Sequence, residues 1–399
     1  MQDLIVQRPE GLYCPPGDFY IDPWRPVDRA VITHAHADHA RAGHRHYLAA
    51  APAEGVLRSR LGQAITLQAL EYGQRITHHG VTVSLHPAGH VLGSAQVRLE
   101  HGGQTWVASG DYKVAPDATC APFEPVCCDV FITESTFALP IYRWRPDAEI
   151  FADINSWWAA NAAAGRASVL MCYSFGKAQR ILSGVDASIG PIIVHGAVQT
   201  LNEAYRAAGV ALPDTLSVED VKDPADCKRA LVLCPPGAVG VRSAGPPQAS
   251  TAPSGGSVVR EATSVGVSPG AGPPQASTAP SGGSVVREAT SVGAYSSPWI
   301  KRFGDFSDAF ASGWMQLRGA RRRGGYDRGF VLSDHADWPG LMGAIAATGA
   351  QRVIVTHGSV PVLVRYLLQQ GLQAEAFHTE YGDDPVEEQV AAASGDGVA

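Results

Sequence analysis

Seven short apolar runs in this chain end in a histidine or a carboxylate, and that pattern limits what it can fold into. Ala30-Val31-Ile32 runs through Thr33 to His34, His36, Asp38 and His39. Val81 to Leu85 passes through Pro87-Ala88-Gly89 to His90, and Trp106-Val107-Ala108-Ser109-Gly110 reaches Asp111. Phe131-Ile132-Thr133 leads to Glu134, Phe330-Val331-Leu332-Ser333 to Asp334-His335, Val353 to Thr356 to His357, and Phe19-Tyr20-Ile21 to Asp22. Between and beyond these runs lie stretches with helical periodicity: 58–72, 148–164, 177–182, 199–208, 341–347 and 360–370. Alternating strand and helix signals predict an α/β protein. In such folds rigid strands hand functional groups to loops at their C-terminal ends. One acid after one strand reads as a solvated turn residue; seven such ends in one chain point to a shared site.

The residue types in those ends suit a metal. Imidazole and carboxylate are ligands for zinc and similar cations. His34 and His36, two apart in a loop, can serve one ion, while Asp38 and His39 continue the turn toward a second. With His90, His357 and Asp111 the chain offers five histidines and two aspartates, enough for two ions sharing one carboxylate. Two close ions generate a hydroxide at neutral pH and stabilise a phosphoryl transition state. His335 is the candidate general acid for the leaving oxygen, and Glu134 the group that orients and polarises it.

Composition bounds the rest. A chain of 399 residues implies two domains, or one with a large insertion. The formal net charge of −7 argues mildly against a nucleic-acid binder, so local basic clusters must carry any such reading. The seven cysteines form no CxxC pair or disulfide framework and read as reduced, mostly buried thiols of a cytoplasmic protein. No signal peptide is evident and no apolar stretch is long enough to span a membrane. One segment stands apart: the 23 residues from Ala244 to Gly266 recur unchanged from Ala271 to Gly293. Rich in Pro, Gly, Ser and Thr, this duplication predicts a disordered insert over 239–294, with a partner-docking linker as the alternative.

The motifs resemble those of the metallo-β-lactamase superfamily, and more narrowly its β-CASP nuclease branch. Asp22 matches the first motif, as an outer partner bracing the metal loop. The His34-to-His39 string matches the second, His90 in Ala88-Gly89-His90-Val91-Leu92-Gly93-Ser94 the third, and Asp111 in Gly110-Asp111-Tyr112 the fourth. Glu134-Ser135-Thr136, Ser333-Asp334-His335-Ala336-Asp337 and Thr356-His357-Gly358 are similar to the three β-CASP motifs, and Tyr173 to Gln179 to the family's lysine-containing loop. The resemblance implies a metallo-β-lactamase αββα sandwich with an inserted α/β β-CASP domain. It places the first part of the sandwich at 1–144, the β-CASP domain at 145–323 and the return segment at 324–399. It implies two Zn2+, with Mn2+ as the alternative: one held by His34, His36 and His90, the other by Asp38, His39 and His357, with Asp111 bridging. Asp38 is thereby also placed among the catalytic groups, with His335 and Glu134.

Within the branch, Tyr20 to Pro26, Pro298 to Phe306, and Ser312 to Met315 with Arg318 to Arg323 resemble bacterial ligase-associated DNA exonucleases. That likeness implies a DNA exonuclease of DNA repair, associated in function with an ATP-dependent DNA ligase and a helicase. His357 keeps an RNA 3′-end processing nuclease open, because a histidine there is usual in RNA-directed members. A small-molecule hydrolase and a non-catalytic scaffold are more remote; the scaffold predicts missing ligands, and none is missing. Ser174 and Lys177 are candidates for the entering phosphate, and Arg318, Arg321 and Arg322 for the nucleic-acid backbone, against a solvated surface stretch as the alternative. Trp299, Trp314 and Tyr173 read as core packing, with base stacking as the alternative. Of the remaining histidines, His44 or His46 could brace the metal loop.

Overall fold

A computed structural model describes residues 3–221, 227–240, 297–317 and 325–380. Contacts divide the chain into one unit of 1–240 with 297–399 and another of 241–296, and every described residue belongs to the first. That unit is α/β, with three sheets.

The N-terminal sheet has six strands in the order Val6–Arg8, Gly11–Cys14, Phe19–Ile21, Arg29–Val31, His46–Ala50 and Leu67–Leu70. A seven-stranded central sheet runs Gln373–Ala376, Arg352–Gly358, Val130–Ser135, Gln104–Ala108, Ala95–His101, Val81–Pro87 and Arg75–His78. Side chains alternate across its strands, and the sequence period of two decides what each face meets. Trp106, Ala108, Val130, Ile132 and Ile354 join Leu12, Ile21 and Val31 of the N-terminal sheet in one core. Val107, Phe131, Val353 and Val355 point the other way, onto Leu341 and Ile345 of helix Trp338–Thr348 and Leu363 and Leu367 of helix Val360–Gln369. On the far face of the N-terminal sheet, Ile32, Tyr47 and Ala49 pack on Val56 and Leu57 of helix Glu54–Leu61.

The third sheet is wholly parallel: Leu216–Ser217, Ile192–Val194, Leu231–Cys234, Ala167–Met171, Phe306–Ala311 and Arg328–Phe330. Its inner strands are largely apolar, as parallel strands covered on both faces must be. Ile150, Ile154 and Trp158 of helix Asp147–Ala163 and Ile181 and Leu182 of helix Lys177–Gly184 seal it.

The expected helix over 58–72 is a correction. The helix is Glu54–Leu61 and stops at Gly62, whose φ of +102° lies in a region that a glycine adopts at no steric cost. Beyond it, Leu67–Leu70 pairs in parallel with Tyr47 to Ala50 as an edge strand. A short apolar run satisfies either period, and pairing with a sheet edge decided it. Among the described residues no helix is long and apolar enough to cross a membrane. None of the seven cysteines forms a disulfide, and all but Cys120 and Cys127 are buried.

The duplicated insert lies outside the described residues from 241 to 296, but its anchor points do not. Val239, expected inside the insert, is instead 3% exposed and ends the turn Pro236–Val239. The chain that leaves there returns alongside it: the Ser297 amide donates to the Val239 carbonyl at 3.3 Å, and Ser297 Oγ and Trp299 Nε1 both donate to Ala238 O, at 2.7 and 2.8 Å. The folded part therefore closes on itself without the insert. Joining Gly240 to Ser297 through a short Gly-Ser linker should leave the urea unfolding midpoint unchanged or raised, because loop closure costs less for the shorter loop, by at most about 2 kcal/mol. An unfolded product would show that the insert is structural.

Candidate metal centre and catalytic cleft

Within each sheet, the strands that end in candidate ligands point the same way. Val130–Ser135 is parallel to both Gln104–Ala108 and Arg352–Gly358. Val81–Pro87 reaches the same direction through two antiparallel steps. In the facing sheet Phe19–Ile21 and Arg29–Val31 are also parallel. Asp22, His34, His36, Asp38, His39, His90, Asp111, Glu134 and His357 thus emerge along one edge of two stacked sheets. Two glycines make the crowding possible. Gly89 has φ +72° and a Cβ there would lie 2.3 Å from the Lys113 carbonyl; Gly110 has φ +57° and its Cβ would lie 2.6 Å from Thr33 Cβ.

Hydrogen bonding decides which nitrogen each histidine turns inward. The Thr33 hydroxyl donates to Asp22 Oδ2, so its oxygen is left to accept from His34 Nδ1 at 3.1 Å. His39 Nδ1 donates to the same Asp22 carboxylate at 2.7 Å, and His90 Nδ1 to the Asp334 carbonyl at 2.8 Å. Thr356 Oγ1 donates to Thr133 O at 3.1 Å and faces His357 Nδ1 at 3.3 Å. All four therefore present Nε2 to the centre. His36 is reversed: its Nε2 faces the Phe175 carbonyl at 3.3 Å, which leaves Nδ1 inward.

These nitrogens surround Asp111. Its Oδ2 lies 3.5 Å from His34 Nε2, 3.5 Å from His39 Nε2 and 3.9 Å from His90 Nε2, and its Oδ1 lies 3.1 Å from His357 Nε2. Asp38 Oδ2 stands 3.7 Å from His39 Nε2. His34, His36, His90 and Asp111 form one compact set of donors, and His39, Asp111 and His357 another. With the tautomers above, His36 Nδ1 and His90 Nε2 face each other at 3.1 Å with a lone pair on each, and His34 Nε2 is buried without a hydrogen-bond partner. Lone pairs converging in a buried space are what a cation neutralises, so this donor set fits a metal. Burial first, then neighbouring histidines, holds His34 and His36 well below the usual imidazole range, and His90 is lowered by burial and by His335. Neutral imidazole is the form that ligates. Burial opposes charge on Asp111 as well, yet His39 and His357 keep its carboxyl well below the ordinary range.

Beside this cluster stands an ion pair. His335 Nδ1 donates to both Glu134 oxygens, at 2.9 and 3.1 Å. The Tyr112 amide and the Thr136 hydroxyl donate to the same carboxylate at 2.8 and 2.5 Å. Burial works against a charged imidazole, but the Glu134 carboxylate overrides it and His335 is pushed up to about 10. The His335 ring centroid is 4.6 Å from that of His90. One water-accessible cleft, about 40 Å³, is lined by His36, Asp38, His90, Asp111, His335 and His357, and also by Tyr173 and Lys177.

Of the substrate candidates, Lys177 thus joins the cleft; its Nζ sits 4.2 Å from the Tyr173 ring centroid and 3.6 Å from Asp334 Oδ2. Ser174 does not line the cleft, and its carbonyl accepts from Gln179 Nε2. Arg318, Arg321 and Arg322 lie outside the described residues. Trp314 packs against Phe137 and Tyr142, and Trp299 against Phe303. His44 bonds the Val27 amide and packs on Tyr47. Sequence reasoning assigned no role to Thr136, which fixes Glu134, or to Ser135, whose hydroxyl donates to the His357 carbonyl at 2.6 Å. Their place beside a strand-end acid is the signal that could have found them.

No family model matches the chain. The chain is 29% identical over 376 residues to the Probable DNA ligase of Opitutus terrae, which covers 93% of this chain but 31% of that protein. It is 33% identical over 85 residues to Cleavage and polyadenylation specificity factor subunit 3 of Dictyostelium discoideum, or 21% of this chain and 11% of that one. With Endoribonuclease ysh-1 of Neurospora crassa it shares 32% over 124 residues, 30% of this chain and 14% of the relative. The chain therefore spans a minor part of each of these relatives. A solved structure of a protein of unknown function from Enterococcus faecalis V583 aligns at 11% identity and a TM-score of 0.49 over 89% of this chain and 80% of that one, and carries no argument.

Proposed function

We propose that this chain, a member of the β-CASP branch of the metallo-β-lactamase superfamily, is a two-metal phosphodiesterase that hydrolyses nucleic acid, with DNA as the favoured substrate. The observation that carries the reading is the His335–Glu134 ion pair set in one cleft with the histidines and aspartates that converge on Asp111. On this reading 1–144 and 324–399 form the αββα sandwich and 145–323 the β-CASP domain.

The donor set suits two Zn2+, or Mn2+ in their place: His34, His36 and His90 would hold one, Asp38, His39 and His357 the other, with Asp111 shared. Such a pair of ions supplies an activated water at neutral pH and neutralises charge on the phosphoryl oxygens. The chain supplies the rest. Asp22 holds Thr33 and His39 and so sets the metal loop. Lys177, with Ser174 nearby, would bind the phosphate, and Arg318, Arg321 and Arg322 the backbone. His335 would give its proton from Nε2 to the leaving oxygen while Nδ1 stays on Glu134, which holds the ring charged until that moment.

DNA is favoured because the match covering 93% of this chain is to a protein named Probable DNA ligase, which also supports an association with a ligase. We extend that reading to a place in DNA repair beside an ATP-dependent ligase and a helicase. Exonucleolytic cleavage, and a cytoplasmic setting to suit cysteines that form no disulfide, complete the reading. RNA 3′-end processing is the second reading, favoured by the shorter matches to endoribonucleases. Matched DNA and RNA, labelled at either end and incubated with zinc or manganese, separate the two. A stepwise ladder on DNA is expected. Internal cuts on RNA alone would move the assignment to the second reading, and intact strands of both with full metal loading would end the nuclease reading.

A further inference from the structure

A network of buried charge stands behind the cleft, and of its members the reaction above uses only Lys177. Arg180, on helix Lys177–Gly184, is 3% exposed. Its guanidinium donates to the Ser333 carbonyl at 2.5 Å, to Asp334 Oδ1 at 3.0 Å, and in a fork to Asp147 Oδ1 and Oδ2 at 2.6 and 2.9 Å. Asp117 Oδ2 lies 3.3 Å from its Nε. Lys113 stands 3.7 Å from Asp147 and 4.0 Å from Asp117, and Lys177 closes the other end on Asp334. Lys113, Lys177 and Arg180 thus balance Asp117, Asp147 and Asp334, so the network is neutral as a whole. Charges this deep persist only when paired, and Arg180 joins both ends of the network to the short segment Ser333–Asp334.

That segment touches the centre twice. The Asp334 carbonyl accepts a hydrogen bond from His90 Nδ1, and the next residue is His335. The ring of a proposed ligand and the proposed general acid are therefore hung on one peptide, and Arg180 grips it by carbonyl and carboxylate together. A lysine at that place would carry the charge as a single point and could not span Ser333, Asp334 and Asp147 at once. We propose that Arg180 is a positioning residue of the hydrolytic centre, acting through Ser333 and Asp334 on His90 and His335. This inference rests on the two-metal reading above.

The test uses the full chain stripped of metal and titrated with Co2+, whose d–d bands report ligand geometry, alongside kcat and KM on an end-labelled oligonucleotide. Arg180→Lys keeps the charge and loses the fork. Arg180→Met/Asp147→Asn removes one charge of each sign, so the network stays neutral and the fold is not left with an unpaired carboxylate. Asp147→Asn alone spares the grip on 333–334. Both Arg180 variants should weaken one of two Co2+ ions and lower kcat by about 10–100-fold, with KM within about twofold and altered bands. Asp147→Asn should keep wild-type bands. Arg180 variants with wild-type bands, affinity and kcat, even at a lowered melting temperature, would overturn the proposal in favour of a purely structural role. A wild-type chain that takes up no Co2+ would instead overturn the two-metal reading beneath it.

Discussion

His335→Ala should retain its full metal content and lose about 10²–10⁴-fold in kcat. His335 lies near Asp111 only in a group with Glu134, outside the two proposed ligand sets, and its Nδ1 is spent on Glu134 at 2.9 Å. Removing the imidazole therefore takes away a proton donor and leaves the ligand set whole. Glu134→Gln should fall in the same direction, since the charge that keeps His335 protonated against its burial would be gone. Single-turnover rates with metal content measured on the same samples give the answer. A variant that cleaves at the wild-type rate would remove the general-acid assignment, and one that has lost its metal would reassign His335 as a ligand.

Asp111→Asn should fail for a different reason, loss of metal. Asp111 presents Oδ2 to His34, His39 and His90 and Oδ1 to His357, so one carboxylate stands between both donor sets. An amide cannot offer two anionic oxygens to two cations, and the centre is expected to hold one ion or none. The loss is several kcal/mol of transition-state stabilisation, on the order of 10³-fold in rate or more. Chelator-stripped wild-type protein should show the same loss and recover on addition of zinc or manganese, whereas Asp111→Asn should not. Metal-free protein with full activity would end the two-metal account.

Much of this centre was legible before the fold was known, for a local reason. His34, His36, Asp38 and His39 lie within six consecutive residues, and a rigid strand end limits where the adjoining loop can place them. Glu134 and His335 were paired from their residue types and motifs, and stand 2.9 Å apart. The helix expected over 58–72 failed because a short apolar run satisfies two periods equally, and only the partner strand His46–Ala50 chose between them. Arg180 was invisible for a different reason. A mid-helix arginine normally faces water, and its acceptors, Ser333 and Asp334, lie 153 and 154 residues along the chain.

The sequence by itself determined the α/β class, the candidate ligand types and the apolar runs that carry them, because periodicity and covalent adjacency are local properties. Only the tertiary structure decided which nitrogen each histidine turns inward. His36 shows its Nδ1 because the Phe175 carbonyl, 139 residues away, occupies its Nε2, and His90 shows its Nε2 because the Asp334 carbonyl, 244 residues away, occupies its Nδ1. A histidine's tautomer is set by its outer hydrogen bond, and that bond exists only once the sheets have stacked and brought distant carbonyls to one edge.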